Sequence, residues 1–357
     1  MSVSSYRILG VMSGTSVDGI DFAYAEFTHD KSWKFKIHAA ETVPYSEEWE
    51  TELKEGINLE KDKLEDLNKR YTQLLGSEIK AFIERNKITD LDGVASHGHT
   101  ILHQPEKGFT LQIGNLPAIS TLCGERVICD FRVQDVELGG QGAPLVPVGD
   151  QELFKDYDFC VNLGGFANVS FEKEQKRLAF DICPVNIVLN RYAEKLGKKY
   201  DKSGEIAATS ENNKELLYAL NKLDFYRQSY PKSLGLEWVL SDVLPLIEEF
   251  KLAPEVVIAT FTEHAAFQIS IALGKALKKE APSILITGGG AYNTHLINRI
   301  KALSKMEVEV PSPELVEYKE ALVFGLMGAL RLKNEINVLA SVTGAKKDHS
   351  SGVIFTS

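Results

Sequence analysis

The chain is poor in cysteine, and what it has shows no pairing pattern. Its four cysteines, Cys123, Cys129, Cys160 and Cys183, include no CxxC pair, which argues against a zinc ribbon or a disulfide framework and fits reduced thiols in the cytoplasm. A basic surplus is missing too: 40 basic against 50 acidic residues leave a net charge of -10. With both signs mixed along the chain, neither nucleic acid nor a membrane surface is an expected partner, and an anionic ligand must be held by local features. No long apolar segment opens the sequence, so no signal peptide or membrane anchor is expected there. No low-complexity linker divides the 357 residues, although their number predicts two domains and the 44% apolar content a large core.

What the sequence does contain is a repeated pattern. Ile8-Leu9-Gly10-Val11-Met12, a small-residue turn from Ser13 to Gly19, and Ile20 to Ala25 read as a strand, a turn and a second strand. The same order returns with Phe159 to Leu163, Gly164-Gly165, and Ala167 to Phe171. Two such hairpins point to a duplicated α/β fold with domains at 1–130 and 131–334 and a tail, 335–357, packing back on the first. Leu64, Leu67, Tyr71, Leu74, Leu75, Ile79, Phe82 and Ile83 recur at helical spacing. Stretches 89–95 and 126–131 read as strands, and 186–196, 212–222, 236–249, 262–279 and 317–333 as helices. Ile284 to Thr287 reads as a buried strand leading into Gly288-Gly289-Gly290 and the amphipathic run His295 to Leu303.

Three glycine turns after three strands are places where backbone N–H groups can approach phosphate. The first, Gly14-Thr15-Ser16-Val17-Asp18-Gly19, is no Walker loop, because it lacks the Gly-Lys-Ser/Thr ending and precedes a strand. Asp18 could hold a hydrated Mg²⁺, an ion that takes few carboxylates. The alternative for this turn, and for Gly164-Gly165, is a hairpin in which glycine supplies positive φ. Gly288-Gly289-Gly290 precedes a helix whose N-terminus favours an anion. Together the three turns imply ATP held in a cleft between two related domains.

The run from Gly10 to Asp21, Gly-Val-Met-Ser-Gly-Thr-Ser-Val-Asp-Gly-Ile-Asp, resembles the opening signature of the anhydro-N-acetylmuramic acid kinases. Similar matches follow in order at Ser96-His97-Gly98-His99-Thr100, Leu111 to Asn115, Asp130-Phe131-Arg132, Leu138 to Pro147, Asn162 to Gly165, Pro231-Lys232-Ser233, Gly288 to Ala291, Glu320-Ala321 and Val342 to Ala345. The resemblance implies two ribonuclease-H-like, actin-like ATPase domains flanking a nucleotide cleft, ATP with Mg²⁺ as cofactors, and a small amino sugar as partner. It implies a kinase that hydrolyses the 1,6-anhydro bond of its sugar while phosphorylating O6, giving N-acetylmuramate 6-phosphate for cell-wall recycling. A homodimer is a further expectation of the same resemblance.

By that resemblance Asp181 is the catalytic base, taking a proton from the water that attacks the anomeric carbon. Gly14, Thr15, Ser16, Val17, Asp18, Gly19, Ile20, Asp21, Gly164, Gly165, Gly288, Gly289 and Gly290 are expected around the nucleotide. His97, Arg132, Asn186 and Glu320 are expected at the substrate, Arg132 as a planar fork for the lactyl carboxylate. Asp181 read alone is a helix N-cap; Arg132 could be a surface ion pair, Glu320 a solvated helix residue and Lys232 a solvated loop lysine or a phosphate or sugar contact. His97, His99 and His103 read as neutral histidines rather than metal ligands. Where the family carries Asp-Thr-Gly-Pro-Gly-Asn, this chain has Asp181-Ile182-Cys183-Pro184-Val185-Asn186. Val185 resists positive φ and close backbone approach, so the loop path or the sugar's fit is expected to differ. Kinases of another amino sugar or a carboxylate, and a non-catalytic ATP-binding regulator, are the rival readings. The retained Asp181 favours an enzyme.

Overall fold

The computed structural model describes residues 4–14, 16–276 and 279–356. Their contacts fall into two compact units, Met1–Leu153 with Tyr318–Ser357, and Phe154–Glu317.

In the first unit, strands β1 (Ser4–Ser13), β2 (Gly19–His29) and β3 (Trp33–Pro44) form an antiparallel meander. Strand β4 (Gly93–Gln104) pairs parallel with β1; β5 (Phe109–Ile113) pairs antiparallel with β4, and β6 (Val127–Cys129) parallel with it. Alternation along the hairpin turns Leu9, Val11, Ile20, Phe22 and Tyr24 to one face, where they meet Leu67, Tyr71, Leu75, Ile79 and Phe82 of the helix Lys61–Arg85. Phe22 stacks on Phe82 at 5.1 Å between ring centroids. On the other face, the part of the helix Pro313–Leu332 from Tyr318 onward lies close on the backbone. A Cβ on Gly10 would collide with the Ala321 carbonyl oxygen, and one on Gly328 would stand 2.7 Å from Ala95 Cβ.

The chain's last strand, Val353–Phe355, pairs antiparallel with β6. The fully buried Asn337 amide ties this segment down, donating to the Met327 and Ser351 carbonyls and accepting from Ser351 N. Residues 131–153, which the hairpin repetition assigned to the second domain, also lie in the first unit. Buried Asp135 accepts from Gly142 N and Thr343 Oγ1, both at 2.7 Å, and so bonds this loop to the returning tail.

The second unit repeats the strand order. Strands β7 (Phe159–Leu163), β8 (Phe166–Lys173) and β9 (Lys176–Pro184) form the meander, β10 (Ser283–Thr287) runs parallel to β7, and β11 (Glu307–Glu309) parallel to β10. The paths β3-β2-β1-β4-β6 and β9-β8-β7-β10-β11 share one topology, the ribonuclease-H-like order of the actin-like fold. The core of this unit sits on one face of its sheet, where Val161, Leu163, Val169, Phe171, Phe180 and Ile286 are buried with Phe261, Ala265 and Ile269 of the helix Pro254–Ala276. That helix is, among the described residues, the one long and apolar enough to cross a membrane, and 72% of its most apolar window is buried inside the protein.

Two bulges bear on the residues singled out by sequence. Between Val11↔Ser96 and Ser13↔His99 the β1/β4 register shifts, with Gly98 at φ 73° in β4. Between Ala167↔Cys183 and Asn168↔Asp181 the extra residue is Ile182. A bulge re-aims the side chains beside it. Here it sends Ile182 and Cys183 into the core while Asp181 points to the opposite face.

Candidate functional site

Asp181 lies on β9, not at a helix start, so the cap expected of it alone is absent; the following helix, Asn186–Glu194, begins after Val185. The loop 230–234 holds it by its backbone. Asp181 N donates to the Lys232 carbonyl at 3.1 Å, and Leu234 N donates to Asp181 Oδ2 at 2.8 Å. Loss of water raises the carboxyl pKa above its ordinary value, more than the Leu234 N–H lowers it. The Lys232 ammonium donates to the Phe225 carbonyl and sits 4.2 Å from the centroid of the Phe225 ring.

The glycine turns of this unit lie together with Asn186. Val185 N and Ile187 N donate to the Gly165 carbonyl, and Asn186 N to that of Gly164. A Cβ on Gly290 would meet Leu163 Cβ at 2.7 Å and Asn186 Nδ2 at 3.4 Å. Gly288 takes φ 81°, a conformation that glycine permits. Gly165 and Gly289 are exposed, and no atom stands within 4 Å of a Cβ built on Gly289. The helix expected directly after the triple glycine starts one turn later: a 3₁₀ turn, Gly289–Tyr292, intervenes, and Asn293 caps the helix Thr294–Ser304 through its bond from Leu296 N. That cap occupies one N–H of the helix's first turn.

The departure at 182–185 has a structural account. Ile182 is 1% exposed and Cys183 and Val185 are 0% exposed, all three within the apolar core cluster of the second unit. Val185 has φ -134°, so the expected conflict with positive φ does not arise. The larger residues fill core volume, and the path beside Asp181 is kept by bonds to Gly164 and Gly165.

In the first unit the turn after β1 is closed by Val17 N donating to the Gly14 carbonyl at 3.2 Å. Val17, not a glycine, takes positive φ (56°), and it is buried. A β-branched residue there is a backbone outlier that stores roughly 1–3 kcal/mol of strain. Ser16 Oγ donates to Asp18 Oδ1 at 2.7 Å, and both residues are exposed. Thr15 lies outside the described residues. Gly19 packs against β3, with its missing Cβ 2.6 Å from the Val43 carbonyl oxygen. The Ile20 side chain is turned into the core, so a nucleotide can meet only its backbone, and Asp21 accepts from Thr42 Oγ1 at 2.6 Å.

His97 is buried and uses both ring nitrogens within the protein: Nδ1 bonds the Gly98 carbonyl at 2.9 Å, and Nε2 accepts from Arg132 Nε at 2.8 Å. Burial and the Arg132 charge hold its pKa well below the ordinary value, so it is neutral with the proton on Nδ1. Both ring nitrogens of His97 are thus engaged, and its Nε2 holds the Arg132 side chain in place. Arg132 NH1 donates to the Gly142 carbonyl at 2.6 Å; burial lowers the guanidinium to about 10, still charged at neutral pH. Glu320 is exposed as a residue, yet desolvation of its carboxyl raises the pKa against the pull of Arg132 and Lys319. His99 is tied to Ser13 Oγ at 2.8 Å, and Ser13 to Tyr45 at 2.7 Å, a buried network rather than a metal site. No group of three or more His, Cys, Asp or Glu able to hold a metal exists among the described residues.

Sequence reasoning missed the Leu234 N–H and the residues that flank Asp181 across the sheet. Asn168 stands directly opposite Asp181, and Asn162 opposite Asn168. The available signal was alternation: a polar residue between Ala167 and Val169 marks the face away from the core.

Two copies of one strand order, each opening on a hairpin with a small-residue turn, give the actin-like fold, and the match to a kinase family makes the class an ATP-dependent sugar kinase. The chain belongs to the anhydro-N-acetylmuramic acid kinase family, whose model matches residues 6–357. It is 34% identical to the anhydro-N-acetylmuramic acid kinase of Acinetobacter baylyi, with 94% of this chain and 96% of that protein covered. The enzyme of the same name from Pseudomonas syringae pv. tomato is 34% identical over 97% of this chain and 98% of its own. That from Haemophilus influenzae is 32% identical over 97% of each.

Proposed function

We propose that this chain uses ATP to phosphorylate 1,6-anhydro-N-acetylmuramic acid on O6 while opening the anhydro bond, giving N-acetylmuramic acid 6-phosphate in cytoplasmic cell-wall recycling. The observation that carries this reading is the Asp181 carboxylate, fixed by one N–H through Oδ2 and raised in proton affinity. Oδ1 is left to take a proton from water. Water oxygen bonds to C1 as the C1–O6 bond breaks; O6 takes that electron pair and bonds to the γ-phosphorus as the bond to ADP breaks. The proton of the attacking water ends on Asp181.

The exposed backbones of Gly165 and Gly289, with Gly164, Gly288 and Gly290 around them, and the turn Gly14 to Gly19 are the groups we assign to phosphate oxygens. Asp18 fits a hydrated Mg²⁺: it is one exposed carboxylate with one oxygen engaged by Ser16, and such an ion keeps most of its waters. The ion would neutralise charge on the transferring phosphoryl group. Arg132, held by His97 and the Gly142 carbonyl, presents its remaining N–H groups to the lactyl carboxylate, Glu320 bonds a sugar hydroxyl, and Asn186 borders the glycine turns.

Burial of Ile182, Cys183 and Val185 speaks against a changed acceptor, because their side chains lie in the core and not on the face of Asp181. Incubation with Mg-ATP and a panel of anhydro and open amino sugars, read by phosphorus NMR, tests this. The anhydro sugar is expected to give a 6-phosphate, with little ATP hydrolysis in its absence. Bound ATP with no phosphorylated sugar would leave a nucleotide-binding regulator as the better reading.

A further inference from the structure

The pairing register of the second unit sets four polar residues in one row. Thr287 of β10 stands opposite Asn162 of β7, Asn162 opposite Asn168 of β8, and Asn168 opposite Asp181 of β9. Their chain neighbours Ile286, Val161, Leu163, Ala167, Val169, Phe180 and Ile182 all belong to the apolar core. The two-residue period therefore turns the row to the other face of the sheet. Directly opposed side chains have Cβ atoms about 4.5–5.5 Å apart.

A polar row across four neighbouring strands needs a reason, because each buried polar group without a partner is costly. Part of the reason is local. The Asn162 amide occupies the place where a Cβ on Gly288 would stand 2.5 Å from its Oδ1 and one on Gly164 3.3 Å from its Nδ2, so the glycines leave room for it. The rest is unspent. Thr287 Oγ1 is buried without a partner, and the half-buried Asn168 amide makes no side-chain hydrogen bond among the described residues. Asn168 and Asp181 stand side by side, yet Asp181 Oδ2 is bonded to Leu234 N and not to the amide. In the first unit the corresponding row, Met12–Asp21–Thr42, is closed on itself by the bond of Thr42 to Asp21.

We propose that Asn168 is a further residue of the acceptor site, its amide contacting the sugar and binding the water oxygen that loses its proton to Asp181. The proposal rests on the reading of Asp181 as base. An amide suits the place: it offers a donor and an acceptor to an oxygen held beside the carboxylate and carries no charge to lower that carboxylate's proton affinity. The titratable groups around Asp181 do not substitute for it. Cys183, on the same strand, is buried as a thiol in the core, and the Lys232 ammonium of the adjoining loop is bound at Phe225.

Asn168→Ala and Asn168→Asp, beside Asp181→Asn, test the assignment in the full chain with Mg-ATP and 1,6-anhydro-N-acetylmuramic acid. Asn168→Ala is expected to lower kcat/KM for the sugar about tenfold, the loss of one hydrogen bond to substrate, with KM for ATP unchanged. Asn168→Asp sets a second carboxyl beside Asp181, so the acid limb of the kcat/KM profile is expected to move to higher pH, a response that a packing role would not give. Sugar kcat/KM of Asn168→Ala within twofold of wild type, an equal rise in KM for ATP, or an unmoved acid limb in Asn168→Asp overturns the proposal. Wild-type turnover by Asp181→Asn would instead remove the base assignment. In that case weakened calorimetric binding of the sugar to Asn168→Ala upholds the amide contact, and unchanged binding ends it.

Discussion

The turn Ser13–Gly19 and the turn Gly164–Gly165 open the same strand order, but the two units use their acids differently. In the first, Asp21 on the second strand is occupied by Thr42, and the exposed acid is Asp18, within a turn whose buried Val17 carries the strain. In the second, the turn has no acid; the carboxylate is Asp181 on the third strand, desolvated and held by a single N–H. A duplicated scaffold thus offers the same strand ends twice and leaves a different carboxylate available in each copy, and in the function proposed above the desolvated one is the base. The proposed function accordingly gives the first turn the solvated cation and the second unit the base.

The sharpest way to break this contrast is to neutralise both acids in turn. Asp181→Asn is expected to lower kcat about 10²–10⁴-fold, the range of a lost general base, whereas Asp21→Asn, removing an acid already engaged, costs about tenfold or less. Coupled ADP-release kinetics with the sugar present measure both; equal losses would erase the distinction. Because the Asp181 pKa is raised, its ionised form is disfavoured in the folded state, so sugar turnover should fall as pH drops through a pKa above the ordinary carboxylate value. The sign for stability is opposite: the native state binds this proton more tightly than the unfolded chain, so ionisation at neutral pH costs stability that returns on acidification. Asp181→Asn should therefore raise the thermal midpoint at pH 7 as it removes activity.

A second test separates packing from specificity beside that base. Val185→Gly removes a fully buried side chain and adds backbone freedom, which should cost about 2–4 kcal/mol in urea unfolding. The order of preference among sugars should stay as it is. A changed preference with little loss of stability would mean that 182–185 shapes the acceptor after all. Smaller still, Asp18→Asn should raise the Mg²⁺ concentration for half-maximal rate about tenfold, the effect of one lost charged contact. Ser16→Ala should raise it by only about two- to threefold, because it loosens the orientation of that carboxylate and leaves its charge.

Much of the fold was legible where one face is buried and the period is clean. Both hairpins and the helix around Tyr71 follow from alternation and from i, i+4 spacing. Strand β3 was missed although Trp33, Phe35 and Ile37 alternate with Lys34, Lys36 and His38; the bulge at His38, between the Tyr24 and Ala25 pairs, cuts that alternation short. Residues 89–92 read as strand from their composition, but β4 begins at Gly93 and runs on to Gln104. Asp181 was assigned to the site by resemblance alone. Its local sequence, an acid shortly before a helical run, is that of a cap, and only pairing with β8 and the distant Leu234 N–H reveal a strand residue. The internal engagement of His97 and the Asn162–Asn168 row depend likewise on partners far away in sequence, which no local window contains.

The returning tail has one more consequence, for the order in which the molecule is made. The first unit is interrupted in sequence: Asn337 and the strand Val353–Phe355, which finish its sheet, emerge only after all of 154–317 has been synthesised. At about 5–20 residues per second that delay is on the order of ten seconds or more. On the ribosome, therefore, the later unit can complete its structure before the earlier one, which waits with one sheet edge and its Gly139–Gly142 loop unsealed until residues 337–355 have been added.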